Sequence, residues 1–197
     1  MIEGEDPMAS RERLYTVDDV WRLACAPEND AKKICLIDGE MLVTMSPGHI
    51  HGRLALRIGQ YIANYADEHN LGEATVEVGY HPPDDRQTLL IPDVAFEGST
   101  QASTPATAGY APFMPDLAVE IISPSQTLAQ ARRKASVYLR HGTALVWLVH
   151  SAEKNAEIWT IADDGAPQSE TVESDGNLSG GAVLPGFALP LGRLFPD

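Results

Sequence analysis

Cysteine is scarce in this chain of 197 residues, because only Cys25 and Cys35 occur. Two cysteines are too few for a disulfide scaffold or for a zinc site built on cysteine ligands. Long apolar runs are also absent, since no stretch approaches the roughly 18 residues that a membrane-spanning helix needs. The N-terminal segment MIEGEDPMAS is acidic and lacks the apolar run of a signal peptide. These absences predict a soluble cytoplasmic protein that makes no contact with a membrane.

Positive charge is scarce as well. The chain has 14 lysine and arginine residues against 28 acidic residues, which gives a formal net charge of −14. Such a balance argues against a protein that coats nucleic acid through bulk electrostatics. The deficit is uneven, however. Residues 46–62 contain Arg53 and Arg57 and no acidic residue, and residues 117–150 contain four basic residues against one acidic residue. Two locally basic segments therefore lie within an acidic protein.

The composition predicts one folded domain preceded by a short tail. Hydrophobic residues make up 44% of the chain and charged residues 21%, which supplies a sizeable core and is not typical of disorder. No internal repeat or second core pattern is visible, so we expect residues 14–197 to form a single domain. Residues 1–13 are expected to be a disordered or cloning-derived tail, with Met8 as the natural start.

Capping residues, turns and hydrophobic periodicity predict the order of the elements. Thr16 followed by Asp18 and Asp19 predicts the cap of a short N-terminal helix. Asp38-Gly39 predicts a type I′ hairpin turn. The other predicted elements are a long helix opened by Gly48 with an apolar stripe that includes Ile50, Leu54 and Ile58, strands over 73–80 and 88–97, a loop over 98–116, a strand over 117–122, a helix capped by Thr127 and Gln130 that ends at Gly142, and strands over 144–149 and 156–161.

This order predicts an α/β (α+β) fold. From residue 49 to residue 150 the elements are helix, strand, strand, strand, helix and strand, which is typical of a mixed β-sheet flanked by helices. The first helix and the hairpin are an N-terminal addition to that core. Nucleotide triphosphate and dinucleotide chemistry have no support, because neither GxxxxGK[ST] nor GxGxxG occurs. Ser123 and Ser125 lack a nearby His–Asp arrangement, which argues against a serine hydrolase.

Glu120 is the most informative polar residue in the sequence. It interrupts an apolar strand, where an ionised carboxylate is costly to bury unless a cation compensates it. Asp93 lies in the preceding predicted strand, on one face with Ile91 and Ala95. If the two strands are neighbours, about 4.8 Å apart, both carboxylates can bind one divalent ion such as magnesium. The structural alternatives are an ion-paired or hydrogen-bonded Glu120 and an Asp93 that belongs to a turn.

Asp116 and Lys134 complete the candidates around Glu120. Asp116 shares a strand face with Glu120 but lies about 13 Å away at roughly 3.3 Å per residue, which is too far to share one ion. We therefore expect Asp116 to be a residue at the start of the strand. Lys134 borders the buried stripe of the following helix and can extend its ammonium to the strand end, where it orients the attacking water. The alternative for Lys134 is a solvated helix charge.

The histidines and arginines are weaker candidates. His49 and His51 lie two residues apart on different faces of the long helix, and His51 is the better candidate for a cap or a phosphate contact. Arg133 and Arg140 lie on one exposed helix face, which suits contacts with backbone phosphates. The 98–116 segment has the length of a mobile loop that closes over a substrate.

Several segments occur in the order and spacing of a known family. They are LIDGEML, MSPGHIHGRLALRI, IPDVAF, PDLAVEIISPS, Lys134 with Tyr138, ALVWLV and LPGFALPLGRLF. Together they resemble the Uma-type putative restriction endonuclease family, which belongs to the PD-(D/E)XK nuclease-like superfamily, and the resemblance runs from about residue 14 to residue 196. It implies a restriction-endonuclease-like core and magnesium-dependent hydrolysis of phosphodiester bonds.

The resemblance also implies roles for individual residues. By position, Asp93 is the PD acid, Glu120 is the (D/E) acid, and Lys134 is the lysine that has moved from the strand to the helix. Asp93 and Glu120 are then the ligands of Mg²⁺ or Mn²⁺. Glu40 and Glu77 lie where an auxiliary acid of the family faces the site.

The sequence thus predicts a metal-dependent DNA endonuclease, and a homodimer is expected because two symmetric sites cut two strands most simply. The acidic surface is offset locally by Arg53, Arg57, Arg132 and Arg133. One alternative is an inactive binding or assembly module of the same fold in which Glu120 and Lys134 simply pair. Gln130 favours it, because relatives often have an aspartate there and a glutamine cannot hold Lys134 by charge. A third interpretation is a hydrolase of small phosphoesters.

Overall fold

A computed structural model describes residues 14–29, 32–45, 48–103, 109–123 and 126–195 of the chain. The expected tail over 1–13 lies outside these residues. The first helix, α1, spans Val17–Ala24 and is followed by a 3₁₀ turn over Pro27–Asn29. Its predicted cap is confirmed, because the Thr16 hydroxyl accepts from the Asp19 amide and the Asp19 carboxylate accepts from the Thr16 amide.

The predicted hairpin is also confirmed. Strands β1 (Lys32–Ile37) and β2 (Glu40–Met45) pair antiparallel with a two-residue connection. Asp38 and Gly39 have φ angles of 54° and 81°, so both adopt the left-handed conformation that a type I′ turn requires. A Cβ on Gly39 would lie 2.9 Å from the Cβ of Leu14, which makes glycine the fitting residue for steric reasons as well.

A six-stranded mixed sheet lies at the centre of the structure. Its strands are β3 (Gly72–Val76), β4 (Val94–Gly98), β5 (Leu117–Ile122), β6 (Leu145–His150), β7 (Asn155–Ile161) and β8 (Pro167–Val172). They follow one another across the sheet in chain order. In this sheet β5 and β6 are parallel and the other neighbours are antiparallel. A parallel pair needs a crossover connection, and a helix after β5 supplies it.

Two helices cover opposite faces of this sheet. They are α2 (His49–His69) and the crossover helix α4 (Leu128–Arg140), and the short helix α3 (Ser99–Ala102) precedes α4 in the chain. Side chains of β5 alternate between the two cores, because Val119 packs on the α2 side and Ala118 on the α4 side. The predicted mixed sheet flanked by helices is therefore confirmed, and the alternation turns Glu120 toward α4.

Two predicted strands are shorter than expected. β3 ends at Val76, because Glu77 has a φ of 55° and cannot continue an extended strand. β4 begins only at Val94, because the Asp93 amide bonds the carbonyl of Val119, the residue that already pairs with Val94, and so lies outside the register of the ladder. Asp93 therefore lies directly before β4, and the prediction that it belongs to a strand is wrong.

Further elements lie where the sequence shows no periodicity. The short helix α3 (Ser99–Ala102) lies in the expected 98–116 loop, of which 104–108 falls outside the described residues. Beyond β8, the short strands β9 and β10 pair antiparallel and a 3₁₀ turn follows, over Asn177–Ser179, Ala188–Pro190 and Leu191–Arg193. Phe187 stacks on Trp147 with ring centroids 6.0 Å apart, so this C-terminal segment completes the core on the α2 side.

Helix α2 buries one side only. Ile58 and Ile62 are fully buried, whereas Ile50, which the sequence assigns to the same stripe, is 65% exposed. The prediction fails in the first turn because His51, and not Ile50, is the residue there that lines an interior cavity. Within the described ranges, no helix is both long and apolar enough to cross a bilayer.

Two isoleucines of α2 provide a matched test of this packing. We expect Ile58→Ala to lower the free energy of unfolding by about 2–5 kcal/mol, because it leaves a cavity in the core. Ile50→Ala removes the same atoms from an exposed position and should cost less than about 0.5 kcal/mol. Urea denaturation of both variants measures the difference, and equal losses would contradict the packing described here.

Candidate active site

A cavity of about 420 Å³ lies where the hairpin, the start of α2 and helix α4 meet the sheet. Titratable side chains from distant parts of the chain line it. They are Lys33, Cys35, His51, Glu77, Asp93, Glu120, Arg133 and Lys134. The three residues predicted to carry the chemistry, Asp93, Glu120 and Lys134, are therefore brought to one cavity.

Asp93 is fixed from two directions. Its amide donates to the Val119 carbonyl at 2.9 Å, and its Oδ2 accepts from the Ile121 amide at 2.7 Å. Its Oδ1 accepts from Lys33 Nζ at 2.7 Å, and His51 Nε2 lies 3.1 Å from the same oxygen. Burial by itself raises the pKa of Asp93, but the contact with His51 and the charge of Lys33 outweigh it and hold the pKa well below its usual range.

Glu120 is held by two side chains of α4. Lys134 Nζ lies 2.5 Å from the carboxylate, and the Tyr138 hydroxyl donates to it at 2.9 Å. Burial by itself lowers the pKa of Lys134, but the charge of Glu120 outweighs this and raises the pKa above its ordinary value. Burial, followed by the charge of Glu120, raises the pKa of Tyr138 well above its ordinary value. At neutral pH the site therefore contains a buried ion pair and a neutral phenol.

The sheet brings the two acidic residues together. The expectation that their strands are neighbours is confirmed, because Val94 of β4 pairs with Val119 of β5. Directly before Val94, Asp93 donates its amide to the Val119 carbonyl and accepts from the Ile121 amide, so its carboxylate lies against the segment of β5 that carries Glu120. The two carboxylates thus face one cavity even though Asp93 itself lies outside the strand.

The hairpin supplies a residue that the sequence analysis missed. Lys33 Nζ contacts Asp93 Oδ1 at 2.7 Å and Glu77 Oε2 at 3.0 Å. Burial by itself lowers the pKa of Lys33, but the charges of Asp93, Glu120 and Glu77 together raise it above its ordinary value. Lys33 is the second residue of β1. Nothing in the neighbouring sequence indicates a functional role, since a lysine at the start of a hairpin strand is normally a solvated charge.

The weaker candidates divide into two groups. Glu77 and His51 lie at the cavity, and with Asp93 they offer ligand atoms that are all within 4.8 Å of one another. Glu40 instead pairs with Arg133 at 3.2 Å. Asp116 accepts from the Gly98 amide at 2.7 Å directly before β5, which confirms its interpretation as a residue at the start of the strand.

Gln130, which lies where relatives often have an aspartate, has a structural role at the start of α4. Its Oε1 accepts from the Thr127 amide and the Thr127 hydroxyl, both at 3.0 Å, which confirms the predicted capping box of α4. The ammonium of Lys134 is held instead by the carboxylate of Glu120, which lies in strand β5. The orientation of the ammonium therefore depends on β5 and not on the helix that carries it.

The arginines expected to contact phosphates are engaged in ion pairs. These pairs are Arg132–Glu157 at 2.7 Å, Arg133–Glu40 at 3.2 Å and Arg140–Asp38 at 3.2 Å. Arg57 donates to the Arg193 carbonyl at 2.7 Å. Two of the ion pairs connect α4 to the hairpin, so these arginines contact a neighbouring element and are not free for phosphates.

The donors at the cavity fit a divalent ion. Carboxylate oxygens are the ligands that Mg²⁺ and Mn²⁺ prefer, and Asp93 and Glu120 both line this cavity. The imidazole of His51 and the carboxylate of Glu77 lie beside Asp93. The pKa of Asp93 lies below its usual range, so this group is ionised at neutral pH, as metal binding requires.

The architecture, a mixed sheet with helices on both faces, is that of an α/β fold. The chain has the fold of a protein described as "a putative nuclease belonging to DUF820 from Anabaena variabilis ATCC 29413", with a TM-score of 0.75 and 18% sequence identity over 91% of this chain and 97% of that chain. The family model Uma2, described as "Putative restriction endonuclease", matches residues 17–192. The chain therefore belongs to the Uma2 family. No curated protein matches the sequence significantly.

The buried pair of Glu120 and Lys134 allows a test in free energy. We expect Lys134→Met to lower the free energy of unfolding by about 3–5 kcal/mol, because it leaves a buried carboxylate without a counter-charge. The double variant Glu120→Gln/Lys134→Met should recover part of this loss, since it buries no unpaired charge. Arg140→Gln, which removes one partner of an exposed pair, should cost less than about 1 kcal/mol. Urea denaturation measures all three, and a double variant less stable than Lys134→Met would refute the account.

Proposed function

We propose that this member of the Uma2 family is a metal-dependent endonuclease that hydrolyses the phosphodiester bonds of DNA. The observation that carries the proposal is the convergence of Asp93, Glu120 and Lys134 in one cavity, each less than a tenth exposed. Grouping three buried charges is costly for stability, which is typical of sites that serve chemistry. Asp93 and Glu120 hold Mg²⁺ or Mn²⁺ through their carboxylate oxygens.

Each residue then has a distinct task. The chemistry that a divalent ion supplies at such a site is polarisation of the scissile phosphate and a lower pKa for the attacking water. Lys134 orients that water and stabilises the negative charge that develops on the phosphate. Its ammonium has three N–H donors, so it can bind Glu120 and a water molecule at the same time. The Tyr138 hydroxyl keeps Glu120 in place by donating a hydrogen bond to its carboxylate.

The charge of the cavity supports a requirement for a metal. Three cationic and three anionic side chains line it, so the cavity is close to neutral within a protein of net charge −14. A DNA phosphate adds one more negative charge. A divalent ion is therefore needed to make its approach favourable.

Assembly and location belong to the same proposal. Cleavage of both DNA strands is simplest with two symmetric sites, which supports a homodimer. Cys25 and Cys35 are both free thiols, which is the usual state of cysteine in the reducing cytoplasm.

A second candidate function is a binding or assembly module that performs no catalysis. The observation that favours it is the saturation of Glu120 by Lys134 and Tyr138, which satisfies the carboxylate without any ion. Measurements of metal binding and of DNA cleavage separate the two functions.

Metal binding is tested by thermal unfolding with and without Mn²⁺ or Mg²⁺. At a concentration about 100 times Kd, we expect the ion to raise Tm by about 5–10 °C, because it binds the folded state only. Asp93→Asn should abolish this shift. Asp116→Asn makes the same chemical change at the start of β5 and should retain it. An equal shift in Asp93→Asn would exclude Asp93 as a ligand.

Catalysis is tested by the nicking of supercoiled DNA. We expect the wild-type protein with Mn²⁺ or Mg²⁺ to produce nicked and then linear DNA, and Glu120→Gln to be slower on the order of 100-fold or more. Asp116→Asn is the matched control and should cleave at the wild-type rate. Equal rates for Glu120→Gln and wild type defeat the catalytic assignment. Turnover of a small phosphodiester without DNA cleavage identifies a small-phosphoester hydrolase instead.

A further inference from the structure

Lys33 joins the hairpin to two acidic side chains at the cavity. Its ammonium lies 2.7 Å from Asp93 Oδ1 and 3.0 Å from Glu77 Oε2, and its side chain is 16% exposed. Asp93 is 60 residues away in the sequence, so only the fold creates this contact. A single positive charge thus bridges two carboxylates on the side of Asp93 that faces away from the backbone of β5.

His51 adds a third group at the same point. Its Nε2 lies 3.1 Å from Asp93 Oδ1, the oxygen that Lys33 also contacts. This approach does not have hydrogen-bond geometry, and both ring nitrogens are shielded from solvent without a hydrogen-bond partner among the described residues. A shielded imidazole nitrogen that faces a carboxylate oxygen is what a cation between them satisfies, since both atoms are common metal ligands.

The spacing of these groups is that of a ligand set. One ligand atom each from His51, Glu77 and Asp93 can be chosen so that all three lie within 4.8 Å of one another. Two ligands of the same ion lie at most about 4.2 Å apart when each bond is about 2.1 Å long. His51 Nε2 and Asp93 Oδ1, which are 3.1 Å apart, meet this limit, and the half-exposed Glu77 side chain is the member of the set with room to rotate.

We propose that Lys33 occupies the position of a divalent ion whose ligands include His51, Glu77 and Asp93, and that its ammonium leaves when the ion binds. The inference rests on the proposed function and deepens it, because it adds His51 and Glu77 to the ligands Asp93 and Glu120 and makes a residue of the hairpin an internal competitor for the metal. Lys33 keeps the two carboxylates compensated in the metal-free protein. The cost of displacing it weakens the apparent metal affinity.

The imidazole sets a preference among ions. Oxygen ligands suit both Mg²⁺ and Mn²⁺, but the hard Mg²⁺ ion accepts an imidazole nitrogen less readily than a transition-metal ion such as Mn²⁺ does. The site is therefore expected to bind Mn²⁺ more tightly than Mg²⁺, and the difference should depend on His51.

Isothermal titration of metal-free protein with MnCl₂ tests the competition. We expect Lys33→Met to bind Mn²⁺ on the order of tenfold more tightly than wild type, because it removes a charge in direct contact with the ligands. Lys32→Met removes the neighbouring lysine, which bonds Asn29 at the surface, and should leave the affinity unchanged. Arg133→Gln removes a charge from the cavity that does not contact the ligand set, and its effect should be several-fold smaller than that of Lys33→Met.

Two ligand variants provide an independent arm that does not require Lys33→Met to fold. Glu77→Gln and His51→Ala should each weaken Mn²⁺ binding on the order of tenfold, and His51→Ala should also remove the preference for Mn²⁺ over Mg²⁺. Unchanged Mn²⁺ affinity in Lys33→Met, or in both ligand variants, overturns the inference.

The readout separates this inference from the proposed function. If Mn²⁺ affinity changes as expected in the variants but no DNA is cleaved, the endonuclease proposal is wrong and the ligand set is supported. If DNA is cleaved but the Mn²⁺ affinity is unchanged by substitution of Lys33, Glu77 or His51, the ligand set is wrong and the endonuclease proposal is supported. A wild-type protein and a Lys33→Met variant that both fail to bind Mn²⁺ refute the two proposals together.

Discussion

An ionised carboxylate inside an apolar sheet determines what must surround it. Glu120 lies in β5 between two core residues, and removing its charge from water is costly unless donors replace the water. The structure supplies an ammonium and a hydroxyl, from Lys134 and Tyr138, four residues apart on α4. Because side chains four residues apart lie on one side of a helix, this contact fixes the rotation of α4 about its axis. The contacts with Glu120 thus both orient α4 on the sheet and build the candidate site.

The hairpin depends on the same balance of charge. Its turn is tied to α4 by ion pairs that involve Asp38 and Glu40, but these pairs are exposed and contribute little to stability. Lys33 instead contacts a buried carboxylate, where the interaction is stronger because less water screens it. The hairpin is therefore a wall of the cavity and not an appendage to the core.

The sequence predicts the features that depend on neighbouring residues and misses those that depend on residues distant in the chain. The caps of α1 and α4, the turn at Asp38-Gly39 and the apolar β5 depend on neighbouring residues, and these predictions are confirmed. Strand ends depend on single backbone conformations, so the left-handed φ of Glu77 was not foreseeable from alternation. Glu120 was identified because a charge in an apolar run is a local anomaly. Lys33 shows no anomaly, and only its distant partner gives it a role.

The two oxygens of Asp93 show how structure and proposed chemistry share one residue. Oδ2 accepts from the Ile121 amide, so the strand that carries Glu120 also sets the orientation of Asp93. Oδ1 is left to face the cavity, where Lys33 and His51 both approach it. Oδ1 is therefore the oxygen of Asp93 that is accessible to a cation from the cavity. A doubly charged ion is attracted to this carboxylate more strongly than a single ammonium, because the attraction grows with the charge of the cation.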